Sequence, residues 1–84
     1  MALHIVSRMP LRHNGAAIRA IRERHGLSLS QLAAEIGIHK GTLSRIERQR
    51  ISTDPANIRA IADRLRVPLD AITYPLGDDD KVPA

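Results

Sequence analysis

LSQLAAEIGIHKGTLSRIER, residues 29–48, contains two short apolar patterns of helical spacing separated by a glycine. In the first pattern, one stripe is formed by Leu29, Leu32, Ala33 and Ile36. Gly37 can supply the positive φ that a tight turn needs. Leu43 and Ile46 then face inward from a following helix. The pattern predicts two short helices that cross at a fixed angle, with the second presented as a rigid rod.

Further helices are predicted on both sides of this pair. Ile18 and Ile21 repeat at helical spacing in a first helix, which Gly26 can terminate. Ser28 and Gln31 match a capping box at the start of the second helix.

After the pair, Asp54 can cap a fourth helix with Pro55 at its first position. The pair Val67-Pro68 should end that helix, and residues 69–73 are predicted to form a short fifth helix. No segment alternates apolar and polar residues for long enough to build a sheet. The prediction is therefore a compact all-α fold of five helices.

The length of 84 residues allows a single domain. We place this domain at residues 15–76, after an irregular arm (residues 1–14) and before an acidic, disordered tail (residues 77–84).

The formal net charge of the chain is +4. Three aspartates lie in the tail, so the rest of the chain has a net charge more positive than +4. A basic body suits nucleic acid or an acidic membrane face. Eleven of the 13 Lys and Arg residues are Arg, which binds phosphate and guanine with a planar fork, although a GC-rich genome would produce the same bias.

The sequence lacks the features that are typical of membrane, secreted, metal-binding and enzymatic proteins. There is no Cys, no apolar run of about 20 residues and no signal-peptide pattern, so we expect a cytoplasmic protein without a membrane span. No metal-ligand spacing is found among the four histidines, which we expect at the surface: His4, His13, His25 and His39. No catalytic constellation is present, so we expect no enzyme activity, no cofactor and no small-molecule effector.

The second helix of the pair, residues 39–48, would have one polar face. Leu43 and Ile46 point to the core, and the opposite side carries Lys40, Gly41, Ser44, Arg45 and Arg48. A rod about 10–12 Å across fits the major groove of B-DNA. We expect Arg45 to bind guanine with two hydrogen bonds; the alternative is a solvated surface arginine.

Four segments together resemble the Cro/lambda-repressor (XRE) class: residues 18–28, 31–38, 42–48 and 61–72. The resemblance covers about residues 16–74. It implies a lambda-repressor-like helix-turn-helix domain that binds specific sites in double-stranded DNA and regulates transcription, reading the major groove with helix 39–48.

The resemblance also assigns roles to residues. It implies base contacts by Lys40, Gly41 and Arg45, with Thr42 and Ser44 nearby. Lys40 could reach a guanine or only a phosphate. At Gly41, the missing side chain could let the backbone approach the bases, or another residue could be tolerated. The resemblance further implies a salt bridge between the first and third helices, formed by Arg22 and Glu47.

Phosphate contacts are expected around the recognition helix from Ser28, Ser30, His39, Arg48 and Arg50. The alternative for each is ordinary capping or solvation. Three residues depart from the family pattern. His39 replaces a Ser or Thr cap, and could accept an amide hydrogen bond or, when charged, contact phosphate. Leu29 replaces a frequent Gln, and Gln49 replaces the usual Gly after the third helix.

A homodimer on two half-sites is expected, because one such domain contacts too few bases for genomic specificity. Candidate dimer surfaces are the end region (Ile72, Tyr74, Leu76) and the arm at residues 3–6, while Arg8 and Arg12 could contact the minor groove or phosphates. The alternative function is a protein-interaction module, such as an antitoxin that binds a protein partner and also its own promoter.

Overall fold

The computed structural model describes residues 12–74 of the chain. This part contains four α-helices: α1 (Gly15–Arg24), α2 (Leu29–Ile36), α3 (Lys40–Glu47) and α4 (Pro55–Leu65). A 3-10 helix (Leu69–Ile72) follows. Most of the predicted arm and all of the predicted acidic tail lie outside the described residues. No helix within residues 12–74 has the length and apolar character needed to cross a membrane.

The predicted all-α fold is confirmed, but the fifth α-helix is wrong. Residues 69–72 form a single 3-10 turn, in which the N–H of Ala71 donates to the carbonyl of Pro68 at 2.9 Å. Thr73 is already extended because it pairs with His13 in an isolated antiparallel bridge. The N–H of Asn14 donates to the carbonyl of Ile72 at 2.8 Å, so this pairing ends the helix after one turn.

The helix ends follow the local sequence signals. Ser28 and Gln31 form the predicted capping box, with the N–H of Gln31 donating to Oγ of Ser28 at 3.0 Å. Asp54 caps α4 through the N–H of Asn57 at 3.1 Å, with a proline in the first turn. Gly37 ends α2 in the left-handed conformation, at φ 80°. These local interactions determine where α2 begins and ends and where α4 begins.

An apolar core lies between the helices of residues 12–74. Its buried residues come from every helix: Ile18, Leu32, Ala33, Leu43, Ile46, Ile58, Ile61, Ala62, Leu65 and Ile72. Helix α2 packs against α3 and α4, and α1 packs against α3, α4 and the 3-10 helix. Helix α3, which follows the tight turn, is therefore packed against both α1 and α2.

His13 was predicted at the surface, and this prediction is wrong. The residue is only 5% exposed. Its Nε2 lies 3.0 Å from the carbonyl oxygen of Ile46, on the last turn of α3. Because a carbonyl can only accept, Nε2 carries the proton and donates. Burial is stabilised by this hydrogen bond between residues 33 positions apart.

Candidate nucleic-acid interface

Helix α3 buries one side and exposes the other. Leu43 and Ile46 are fully buried. Exposed residues on the helix and at its end are Lys40, Gly41, Arg45 and Arg48, whereas Thr42 and Ser44 are half-buried. Every residue with an expected base contact therefore lies on α3, and three of the five are fully at its surface.

The start of α3 lacks a side-chain cap. His39 occupies the N-cap position in an extended conformation, but its side chain makes no capping hydrogen bond. Its carbonyl accepts the N–H of Leu43 at 3.0 Å. His39 is exposed at the N-terminal end of α3.

The other residues with expected phosphate contacts also lie at element ends. Ser28 caps α2, and Ser30 is exposed in its first turn. Arg48 is the C-cap residue of α3. Arg50 is exposed, and its N–H donates to the carbonyl of Arg45 at 2.8 Å. The chain after α3 thus folds back onto the helix and brings Arg50 close to its C-terminal end.

Arg22 and Glu47, the pair implied by the family resemblance, are bonded through two hydrogen bonds. Nε of Arg22 donates to Oε2 of Glu47 at 2.7 Å, and Nη2 donates to Oε1 at 3.1 Å. Nη1 donates to the carbonyl of Leu27 at 2.9 Å. The two side chains are 10% and 5% exposed. Hydrogen bonding to Glu47 raises the pKa of Arg22 above its usual value, although burial acts in the opposite direction. This pair joins α1, the following loop and α3.

Further contacts at the C-terminal end of α3 were missed by sequence reasoning. A β-carbon on Gly15 would overlap the backbone carbonyl oxygens of Ile46 and Glu47. The N–H of Gly15 donates to Oε1 of Gln49. Together with His13, these residues attach the start of α1 to the end of α3.

Two signals in the sequence pointed to this region without identifying it. An Asn-Gly pair such as Asn14-Gly15 is typical of a turn, whereas in the structure Asn14 caps α1 through the N–H of Ala17 at 3.1 Å. Gln49 was noted as a departure from the usual Gly. It adopts the left-handed conformation at φ 59°, which glycine reaches more easily.

Of the candidate dimer residues, Ile72 is fully buried and is therefore removed from that surface. Tyr74 is 39% exposed, and the guanidinium carbon of Arg12 lies 5.4 Å from its ring centroid. The remaining dimer candidates, residues 3–6 and Leu76, lie outside the described residues, as does Arg8, which was a candidate for minor-groove or phosphate contact.

The family HTH_3, described as helix-turn-helix, matches residues 18–72 of the chain. The chain belongs to this helix-turn-helix family. The match begins in α1 and ends with the 3-10 helix, so it includes both crossing helices and the elements that support them.

One curated relative of this helix-turn-helix protein is the HTH-type transcriptional repressor RghR of Bacillus subtilis (strain 168), with 35% identity over 69 residues. The match covers 81% of this chain and 51% of RghR, so the chain spans about half the length of that relative.

Solved structures of helix-turn-helix proteins share the fold. The restriction-modification controller protein C.AhdI from Aeromonas hydrophila has a TM-score of 0.65 at 26% identity, over 68% of this chain and 86% of that one. SinR, the master regulator for biofilm formation from Bacillus subtilis, was solved in complex with DNA. It has a TM-score of 0.64 at 31% identity, over 68% of this chain and 95% of that one.

Proposed function

We propose that this chain is a cytoplasmic transcriptional regulator that binds a specific site in double-stranded DNA with α3 in the major groove. One observation carries the proposal. The exposed side of α3 presents Lys40, Gly41 and Arg45, while its other side is buried in the core. Base edges can be read only by side chains that are held in place, and here the helix that carries them is fixed by packing and by the Arg22–Glu47 pair.

Arg45 is the principal base-reading residue in this proposal. An arginine fork matches the two acceptors of guanine in the major groove. Lys40 and Gly41, at the start of α3, lie where the helix end approaches the bases. Thr42 and Ser44 contribute hydroxyl groups from its flanks.

Phosphate contacts position the helix and carry no sequence information. We assign them to the start of α2 (Ser28, Ser30), the start of α3 (His39) and the segment that follows α3 (Arg48, Arg50). The exposed His39 imidazole and the exposed arginines support this assignment.

The regulator acts as a homodimer on two half-sites in this proposal, because two copies of α3 double the number of bases contacted. RghR is described as a transcriptional repressor, and SinR was solved with DNA, which supports a repressor-like role. Both, like C.AhdI, are described as regulators or controllers, so the antitoxin or protein-interaction alternative is not favoured.

The proposal is tested by selecting bound sites from a pool of random duplexes. We expect a palindromic consensus whose half-sites are about 34–36 Å apart, and affinity for it should fall steeply as salt rises. No enrichment over the starting pool, at low salt and with folded protein, would contradict the proposal.

A further inference from the structure

Three exposed arginines, Arg45, Arg48 and Arg50, form a cluster at the C-terminal end of α3. The N–H of Arg50 donates to the carbonyl of Arg45 at 2.8 Å, which holds the chain after α3 against the helix. Glu47, the acidic residue of α3, is buried and bonded to Arg22. Within the part of the chain that the structure describes, no side chain of the arginine cluster forms an ion pair. The cluster is therefore an exposed, positively charged face without an acidic partner in that part of the chain.

The C-terminal end of the described chain lies close to this cluster. Thr73 pairs with His13, and Nε2 of His13 donates to the carbonyl of Ile46 on the last turn of α3 at 3.0 Å. The N–H of Tyr74 donates to the carbonyl of Arg12 at 2.8 Å. Paired antiparallel residues are about 5 Å apart, so one such spacing and one side chain separate Thr73 from the end of α3. The chain that follows Tyr74 therefore starts near the arginine cluster.

An acidic segment follows Tyr74 at a short distance in the sequence. Asp78, Asp79 and Asp80 are consecutive, and Lys81 is the one cation after Tyr74, so the charge of this segment remains negative. An extended chain spans at most about 3.3–3.6 Å per residue. The three carboxylates are therefore tethered within roughly 22 Å of Tyr74. A tethered group of this kind has an effective concentration on the order of millimolar at a site within its reach.

We infer that Asp78, Asp79 and Asp80 bind the arginine cluster of the same chain in the absence of DNA and compete with DNA for it. A carboxylate and a phosphodiester present the same kind of charged oxygen acceptor to a guanidinium fork. The competition rests on the proposed function, whereas the contact itself requires no DNA.

The expected contact is weak, because exposed ion pairs are screened by water and salt. It depends on three carboxylates facing three arginines and on the short tether between them. A duplex can therefore displace the acidic segment. Since the segment competes with every duplex alike, it should lower the affinity for all DNA by one factor and leave the discrimination between sequences unchanged.

The test uses three triple variants of the full chain. Asp78→Asn, Asp79→Asn and Asp80→Asn together remove the acidic segment. The matched control combines Glu35→Gln, Asp63→Asn and Asp70→Asn, which change the net charge equally at exposed residues of α2, α4 and the 3-10 helix. The third variant replaces Asp78, Asp79 and Asp80 by glutamate and keeps the charge, so it should behave as the unmodified protein.

The contact is measured first without DNA, by the amide and side-chain Nε–H signals of the arginine cluster in NMR spectra. We expect the triple Asn variant to shift these signals near 0.1 M salt, and the shift to vanish near 1 M salt, where the screening length is about 3 Å. The control variant should leave the signals in place. Unchanged signals in the Asn variant would overturn the inference. A shift that depends on protein concentration would assign the segment to a second copy and would also overturn binding within one chain.

Affinity for the selected duplex and for a scrambled duplex is then measured across a series of salt concentrations. Near 0.1 M salt, the triple Asn variant should bind both duplexes about three- to tenfold more tightly than the unmodified protein. This gain should shrink as salt rises, and the control variant should show a clearly smaller gain. Equal gains in the two variants, or a gain on the selected duplex alone, would overturn the inference. Failure of the unmodified protein to prefer any duplex would instead overturn the proposed function, while the spectra without DNA still decide the contact.

Discussion

Gly15 at the start of α1 lies directly against the backbone carbonyl of Glu47 at the end of α3. No side chain fits between them, since a β-carbon on Gly15 would overlap that carbonyl and the one before it. The close approach brings the N–H of Gly15 to Gln49 and places His13 beside Ile46. The orientation of α3 therefore depends on a backbone-to-backbone contact as well as on its apolar side.

Substitution of Gly15 should destabilise the fold. Because the obstacle is backbone rather than a flexible side chain, Gly15→Ala must displace α1 or α3, and overpacking of this kind costs about 1–3 kcal/mol. The free energy of unfolding from urea denaturation measures the effect. A variant as stable as the unmodified protein would show that the contact is looser than described.

Gly41 provides the matched control and answers a question of its own. A β-carbon at Gly41 meets nothing within 4 Å, and alanine is favoured over glycine inside a helix by roughly 0.5–1 kcal/mol. We predict that Gly41→Ala stabilises the protein by about that amount in the same denaturation experiment.

The affinity of Gly41→Ala for the selected duplex then separates the two interpretations of Gly41. Weaker binding is expected if the backbone approaches the bases, and unchanged binding would exclude such an approach.

Loss of either partner in the Arg22–Glu47 pair should be costly. Arg22→Met and Glu47→Leu each leave one buried charge without its partner, which costs about 3–5 kcal/mol. The double variant removes both charges, so its cost should be well below the sum of the two single costs. Urea denaturation of all three variants measures the coupling free energy between Arg22 and Glu47.

Arg64→Gln serves as the control for this series, because the Arg64–Glu35 pair joins α4 to α2 at the surface, with side chains 38% and 43% exposed. Its loss should cost less than about 1 kcal/mol. If Arg22→Met costs no more than Arg64→Gln, the buried pair does not hold α3.

Gln49 combines an unfavourable conformation with a useful hydrogen bond. A left-handed residue other than glycine costs about 1–2 kcal/mol, and a hydrogen bond such as that to Gly15 contributes about 0.5–1.5 kcal/mol. Gln49→Ala keeps the strain and loses the bond, whereas Gln49→Gly loses both. We predict that the Gly variant is more stable than the Ala variant by about 1 kcal/mol in thermal or urea unfolding. The reverse order would show that residue 49 is not left-handed in solution.

Features determined by neighbouring residues could be predicted from the sequence. The capping box of Ser28 and Gln31, the cap by Asp54 and the left-handed Gly37 each depend on a few adjacent positions. The inward faces of the helices also follow from spacing alone, because apolar residues at helical intervals share one side. The exposed side of α3 was predicted for the same reason.

Features determined by distant residues could not be predicted. The buried His13 side chain is hydrogen-bonded to a carbonyl 33 positions away, and no residue near His13 in the sequence indicates this contact. The fifth helix is cut short because Thr73 pairs with His13. The role of Gly15 as a point of close contact depends on where α3 ends.

Arg45 on the exposed side of α3 offers the most direct measurement. The quantity is the ratio of affinities for the selected duplex and for a scrambled duplex of equal length. Arg45→Ala should reduce the difference in binding free energy that this ratio expresses by about 1–3 kcal/mol, and should relax the preference at one base position. Arg59→Ala on α4 should leave the ratio unchanged. A folded Arg45→Ala variant that discriminates as well as the unmodified protein would contradict base reading by α3.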